Sequence, residues 1–128
     1  MTELVEFLDL DDLLELARRL LGDPPSVRDV GLLASAVARP QTTVGGEDAY
    51  PTIWGKAAAL SQSLVGSDAL IDGNKRLGWL ATAVFLELNA ASVSHAGNDD
   101  VYELVMEVAS SRLDLAEITA RLEALARP

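Results

Sequence analysis

The stretch Asp68-Ala69-Leu70-Ile71-Asp72-Gly73-Asn74-Lys75-Arg76 runs without a break into Leu77-Gly78-Trp79-Leu80-Ala81-Thr82-Ala83-Val84-Phe85-Leu86, and it decides the fold. In its second half Leu77, Leu80, Ala81, Val84, Phe85 and Leu88 recur at helical spacing, while Trp79, Ala83 and Leu86 make the other sides apolar. A helix apolar all round is normally central and buried, so this one is expected to be the most deeply packed helix of the domain. In the first half, Asp72 is a good N-cap, because a short carboxylate accepts from the free backbone N–H groups of the following turn. Gly73 and Asn74 open the helix with little side-chain bulk, and Lys75 and Arg76 add two cations at its positive pole. The combination predicts an anion-binding helix N-terminus. Turn and cap chemistry also accounts for an Asp-Gly-Asn start, and a Lys-Arg pair is usually a solvated one, so the pattern alone leaves both readings open.

The 128 residues suit a single domain over positions 1–128, and with 49% hydrophobic residues the chain has enough material for a real core. It has no cysteine, which excludes disulfides and thiolate chemistry and points to an intracellular, cytoplasmic location. Met1-Thr2-Glu3-Leu4 has no basic region ahead of an apolar one, so no secretory signal is expected, and no segment is long enough to span a bilayer. A formal net charge of −10 argues against broad affinity for nucleic acid or an anionic membrane, and neither is expected as a direct partner. A polyanion would have to be bound locally, and Arg28, Arg39, Lys75 and Arg76 are the candidate cations.

Along the chain, Leu4–Leu8 alternates weakly and suggests a short edge strand. Asp9 with Asp12 reads as a cap and first-turn carboxylate of a first helix, which Gly22 and Pro24-Pro25 end. A second helix is expected from about Asp29 to Arg39, stopped by Pro40. From Pro40 to Pro51, with Gly45-Gly46 at its middle, the chain reads as a surface connection, the alternative being a mobile flap over a site. Ile53, Ala57, Leu60 and Leu64 mark a third helix between Pro51 and Gly66. Beyond the central helix, residues 91–95 suggest a short strand that pairs with the N-terminal one. A fifth helix follows Asn98, and a sixth starts at Asp114 with Glu117 in a capping box. The expected fold is all-α: a compact bundle of about six helices around a buried central helix, with room for one short two-stranded β pair.

Several chemistries are excluded or weak. No Walker loop is present, because Gly73-Asn74-Lys75 lacks the required glycine spacing and is followed by Arg76. The single histidine, His95, has no companions for a zinc site and reads as a surface or capping residue. Nothing around Ser67 or Ser94 resembles a nucleophile elbow. Asp68 and Asp72, four apart beside the cations, suit a division of labour between metal binding and proton transfer, or simply two turn residues.

At these residues the chain resembles the Fic/Doc family, and within it the death-on-curing (Doc) branch. The family loop reads His-x-Phe-x-Asp/Glu-Gly-Asn-Gly/Lys-Arg before a central helix, and Asp72-Gly73-Asn74-Lys75-Arg76 matches its second half without a gap. Lys75, in place of the second Gly of Fic AMP-transferases, is the Doc variant. Arg28–Leu33 and Ala36–Gln41 resemble the Doc second helix, and the likeness covers nearly the whole chain. The resemblance implies the toxin of a Phd/Doc-type toxin–antitoxin pair. Such a toxin is a kinase-like phosphotransferase moving the γ-phosphate of ATP to a hydroxyl of a protein target, elongation factor Tu in the family, with arrest of translation. A Phd-like antitoxin would be its partner. Carried over by position, Asp72 would hold Mg2+, and Gly73 and Asn74 would bring backbone and side chain to the phosphates of ATP. Lys75 and Arg76 would offset the charge of the transferring group.

Two positions depart from the family pattern. Leu70 stands where the motif has Phe, a change of core-facing anchor. Asp68 stands where the family has the catalytic His, and whether the chain is an enzyme turns on that residue. Three accounts are open: an introduced substitution, a natural loss of activity, or an Asp acting as base as one does in protein kinases. A carboxylate with an ordinary pKa of about 4 is a weaker base than imidazole near neutral pH, so reduced or absent activity is expected. The alternatives from other classes are a non-catalytic Fic-fold interaction protein, and a member repurposed for small-molecule chemistry with Asp68 and Asp72 as an acid–base pair.

Overall fold

A computed structural model describes residues 4–127. The elements in order are α1 (Leu10–Leu21), α2 (Val30–Ala38), a 3-10 turn (Arg39–Gln41), β1 (Thr43–Val44), β2 (Glu47–Asp48), α3 (Ile53–Val65), α4 (Asn74–Leu88), α5 (Asn98–Ala109) and α6 (Leu115–Leu125). The all-α bundle with one small β pair is therefore present as expected.

Most helix ends follow from local chemistry. At α1 the Asp9 carboxylate accepts from the Asp12 N–H at 2.8 Å while Asp12 accepts from the Asp9 N–H at 3.0 Å. This is a reciprocal capping box, repeated by Asp114 and Glu117 at α6. Asp29 caps α2 through the N–H groups of Gly31 and Leu32, and Thr52 caps α3 through that of Gly55. On α1, hydrogen bonds from Arg19 and then Arg18 hold the Glu15 carboxyl below the usual carboxylate value.

The core lies chiefly between α3 and α4. Helix α3 buries every residue from Lys56 to Ser61, and Leu64 and Val65 besides. Helix α4 buries Leu77, Gly78, Ala81, Thr82, Phe85 and Leu86, which form one face. The expectation that α4 is the most deeply packed helix is therefore corrected: α4 is central, but α3 is enclosed on more sides. Small residues, Ala57, Ala58 and Ala59, let neighbouring elements close around α3, whereas the second apolar face of α4 borders grooves. Trp79, Ala83 and Val84 on that face are only half-buried, and Leu88 is exposed.

Neither Leu4–Leu8 nor residues 91–95 forms a strand. The link expected from a strand pairing is made instead by one side chain. The Asn89 amide accepts from the Glu6 N–H at 2.9 Å and donates to the Glu6 carbonyl at 2.8 Å. Phe7 stacks on Phe85 of α4, ring centroids 6.1 Å apart, and buried Leu8 follows. The second Nδ2 hydrogen of Asn89 goes to the Phe85 carbonyl at 2.8 Å, so the amide joins one residue of the N-terminal segment and starts no ladder.

The observed β pair lies where a connection was expected. Thr43 pairs with Asp48 and Val44 with Glu47, across Gly45-Gly46. Both glycines have positive φ, the conformation a two-residue hairpin turn demands. His95 is no site residue here, its Nε2 lying 2.9 Å from the Ala126 carbonyl. Among the described residues no helix is long and apolar enough to cross a membrane.

The α3–α4 crossing needs Gly78. A Cβ there would lie 2.5 Å from Val65 Cγ2 and 3.0 Å from the Val65 backbone nitrogen, closer than packed atoms approach. Gly78→Ala is expected to destabilise the fold by about 1–3 kcal/mol, since overpacking outweighs the helix propensity gained. Denaturant midpoints of the two proteins, at equal m-value, check this.

Candidate functional site

The loop between α3 and α4 is held from two directions. On one side lies the segment preceding α2. The Ala69 carbonyl accepts from the Arg28 N–H at 2.8 Å and the Asp29 N–H at 3.0 Å, and the Ile71 N–H donates to the Ser26 carbonyl at 3.0 Å. Val27 and Leu70 form an isolated antiparallel bridge within this contact. On the other side stands Asn74, the first residue of α4. Its Oδ1 accepts from the Leu70 N–H and its Nδ2 donates to the Leu70 carbonyl, both at 2.9 Å. Ala69 and Leu70 are buried, so Leu70 is the core anchor that its position implied.

Asp72 was expected to cap α4, and it does not. The N-cap is Gly73, at φ +92°, and no side chain caps the helix. The left-handed turn lets the Asp72 carboxylate reach only its neighbour, with Oδ1 accepting from the Gly73 N–H at 2.8 Å. Gly73 is required for its positive φ, and a Cβ there would also lie 2.6 Å from Leu21 Cδ2 at the end of α1, so that side chain would have to move. The first helical hydrogen bond runs from the Leu77 N–H to the Gly73 carbonyl, at 2.9 Å. The N–H groups of Asn74, Lys75 and Arg76 precede it and point out of the helix end.

These residues form one polar concavity of about 350 Å³, walled by the run from Ile71 to Arg76. Lys75 and Arg76 are exposed, and neither joins any ion pair found among the described residues. Asp72, Gly73, Asn74, Lys75 and Arg76 are thus brought together as the sequence suggested. Asn74 has a different main task from that implied: its amide faces Leu70, leaving one Nδ2 hydrogen for a ligand. Asp68 is exposed and is not part of the wall of this concavity, so an acid–base pair with Asp72 gains no support.

Fit to a nucleotide and cation rests on the donor set. Unpaired cations beside free backbone N–H groups suit phosphate oxygens. Among the described residues no group of three or more His, Cys, Asp or Glu is disposed around a metal. Asp72 is a single carboxylate with one oxygen free of protein donors, which suits Mg2+, an ion that takes one or two carboxylates and fills its shell with phosphate and water.

Arg39, a candidate cation, lies elsewhere. Its Nε donates to the Tyr50 hydroxyl at 3.0 Å, and its Nη1 donates to the Ala59 carbonyl at 3.2 Å and to Ser63 Oγ at 3.0 Å. It also sits 5.5 Å from the centroid of the Tyr50 ring, so it is a structural brace. Lys56, which sequence reasoning passed over, is fully buried on α3. Its one sequence signal was a charge at the start of the small apolar run Ala57-Ala58-Ala59.

Beside the polar concavity, Lys75 and Arg76 also border a groove of about 540 Å³ between α4 and α5, lined by Trp79, Leu80, Val105 and Met106 among others. Its walls are mostly apolar, which explains the second hydrophobic face of α4.

The Asn74 clasp is open to a direct test. Asn74→Ala strips both partners from the buried backbone of Leu70, at an expected cost of about 1–3 kcal/mol. Faster exchange of the Leu70 amide, measured against α3 amides as internal reference, is the expected signature; unchanged exchange would show that the clasp does not hold the loop.

Comparison with known proteins agrees with this architecture. The model of the Fic/DOC family matches residues 7–86. Toxin Doc of Mycolicibacterium smegmatis is 46% identical over 124 residues, covering 96% of this chain and 95% of that protein. The match runs from the segment before α1 through the α3–α4 loop and almost all of α4. The chain belongs to the Fic/Doc family, in its Doc toxin branch.

Proposed function

We propose that this chain is the toxin of a toxin–antitoxin pair whose α4 N-terminus binds the phosphates of ATP for transfer of the γ-phosphate to a protein hydroxyl. The observation that carries this is the uncapped start of α4, where free backbone N–H groups, Lys75 and Arg76 share one concavity with Asp72. Elongation factor Tu is the acceptor that the family resemblance implies, and inhibition of translation the consequence.

The chain's own residues act by position and charge. Lys75 and Arg76 neutralise charge on the transferring group, and the helix-end N–H groups hold its oxygens. Asp72 would hold Mg2+, whose charge would draw electron density from the phosphates. The acceptor oxygen bonds to phosphorus, the bond to the bridging oxygen breaks with ADP as the leaving group, and the hydroxyl proton passes to the group at position 68 or to water. Asp68 stands where a base is required. A carboxylate there orients the hydroxyl but takes its proton less readily than an imidazole, so transfer is slow or absent.

A Phd-like antitoxin is the partner this reading requires. The groove between α4 and α5 suits an amphipathic segment of that partner, with Tyr102 and Met106 exposed along it and the two cations at its end. The same groove favours a second reading, an interaction protein that binds without catalysing.

Two measurements separate these. Asp68→His, expressed without its partner, is expected to arrest growth, and undisturbed growth would count heavily against the toxin reading. Mg-ATP is expected to bind the unsubstituted protein, and Lys75→Ala to weaken that by roughly 10- to 100-fold, the loss of a hydrogen bond to a charged group. Binding indifferent to Lys75 would leave only the interaction reading.

A further inference from the structure

Arg39 is a cation that the concavity at residues 71–76 does not use. Its Nε and Nη1 are taken up by Tyr50, Ala59 and Ser63. Among the described residues no acceptor meets its Nη2, and no carboxylate pairs with its charge. The side chain is half-buried, so its charge is partly stripped of water without a counter-ion, a state that an anion beside it relieves. Three hydrogen bonds and the Tyr50 ring already fix the guanidinium, which leaves the two Nη2 hydrogens aimed in advance and little entropy to lose on binding.

Arg39 lines a concavity of about 480 Å³ together with four hydroxyls, those of Ser35, Thr42, Ser63 and Ser67. Two of these are committed to the backbone: Thr42 Oγ1 donates to the Arg39 carbonyl at 2.7 Å and Ser67 Oγ to that of Leu64 at 3.1 Å. The other two can donate outward. Ser63 Oγ accepts from Arg39, which leaves its own hydrogen for a ligand, and the Ser35 hydroxyl has no partner among the described residues. Ser35 stands on α2 four residues before Arg39, its C-cap, whose backbone is still helical, so the two share a face. No Asp or Glu lines the concavity, on a chain that has 20 of them. Donors converging on an unpaired cation, with no carboxylate among them, select acceptor oxygens that carry charge. A bare tetrahedral anion is the size of a few waters, each about 30 Å³, so the space holds more, and Leu32 and Ala36 give the remainder an apolar wall. We infer that this concavity is a second anion site, binding the phosphate or carboxylate group of a small organic molecule through Arg39 Nη2 and the hydroxyls of Ser35 and Ser63. It stands whether or not the start of α4 binds ATP.

Phenyl phosphate and benzoate, titrated at constant ionic strength, test this through amide chemical shifts of the full chain. Saturable shifts at Ser35, Arg39 and Ser63 are expected with at least one of them, and the tighter of the two tells phosphate from carboxylate. Because Arg39 also braces Tyr50, the substitutions are placed around it. Ala38→Glu sets a carboxylate on the wall of the concavity, neutralising the guanidinium without removing it, and is expected to weaken binding by about tenfold or more. Ser35→Ala, at an exposed helical position, keeps the test alive if Ala38→Glu does not fold, and is expected to weaken binding by about threefold to tenfold. Lys75→Ala is expected to leave the shifts at Ser35 and Ser63 unchanged, which separates this site from the start of α4. Shifts that do not saturate with either probe overturn the inference, as do affinities indifferent to both Ala38→Glu and Ser35→Ala, or binding lost with Lys75→Ala.

Discussion

The clasp of Asn74 on the backbone of Leu70 is the constraint on which the site depends. A single amide satisfies both the N–H and the carbonyl of a buried residue four positions earlier. Each of these bonds contributes only about 0.5–1.5 kcal/mol net, but leaving the buried groups unpaired would cost more, so the loop has one stable path. That path puts Leu70 in the core, Gly73 against Leu21 and the uncapped end of α4 in solvent. The backbone of the polar concavity is thus placed by core packing on either side of it.

The same device closes the other end of α4. Asn89, its C-cap residue, holds the N–H and carbonyl of Glu6 as Asn74 holds those of Leu70. In both cases a non-helical segment has one residue to satisfy and a helix-terminal asparagine supplies the matching pair. Asparagine suits these places because its amide reproduces a peptide group while its cost to the helix is small at a terminus. Helix α4 therefore anchors the N-terminal segment at one end and the α3–α4 loop at the other. Between them its buried face packs on α3, at a crossing close enough to require Gly78.

What was legible in the sequence was local. The cap at Asp9, the capping box of Asp114 and Glu117 and the stops at Gly22 and Gly66 depend on residues within a turn of one another and stand where expected, while α2 gives way at Arg39 to a 3-10 turn that contains Pro40. The grouping of Asp72 to Arg76 was legible for the same reason. Features that depend on backbone conformation or on distant partners were not. Asp72 loses the cap because the left-handed Gly73 redirects its carboxylate, and the loop doubles back so that the Asn74 amide meets Leu70, four residues earlier. The tasks of Arg39 and Lys56 rest on Tyr50 and Asp48, contacts between segments that no periodicity reveals. Apolar residues around all of α4 look alike in sequence whether they face a core or a groove. The hairpin at Gly45-Gly46 was hidden by its brevity and full exposure, which leave no alternation to read.

The acidic balance of the chain and the anion site proposed at the start of α4 are compatible because charge acts on them over different ranges. At physiological ionic strength charges beyond a Debye length of about 8 Å are largely screened, so a formal net charge of −10 shapes which macromolecules approach but hardly enters a small concavity. Inside it the balance is local: one carboxylate, two cations outside any ion pair found among the described residues, and the positive end of a helix of fifteen residues. Pairing Lys75 or Arg76 with an acidic neighbour would leave less of its charge for a ligand. Their exposure outside any ion pair found among the described residues, on a chain with an excess of carboxylates, is the feature on which the phosphate-binding proposal rests.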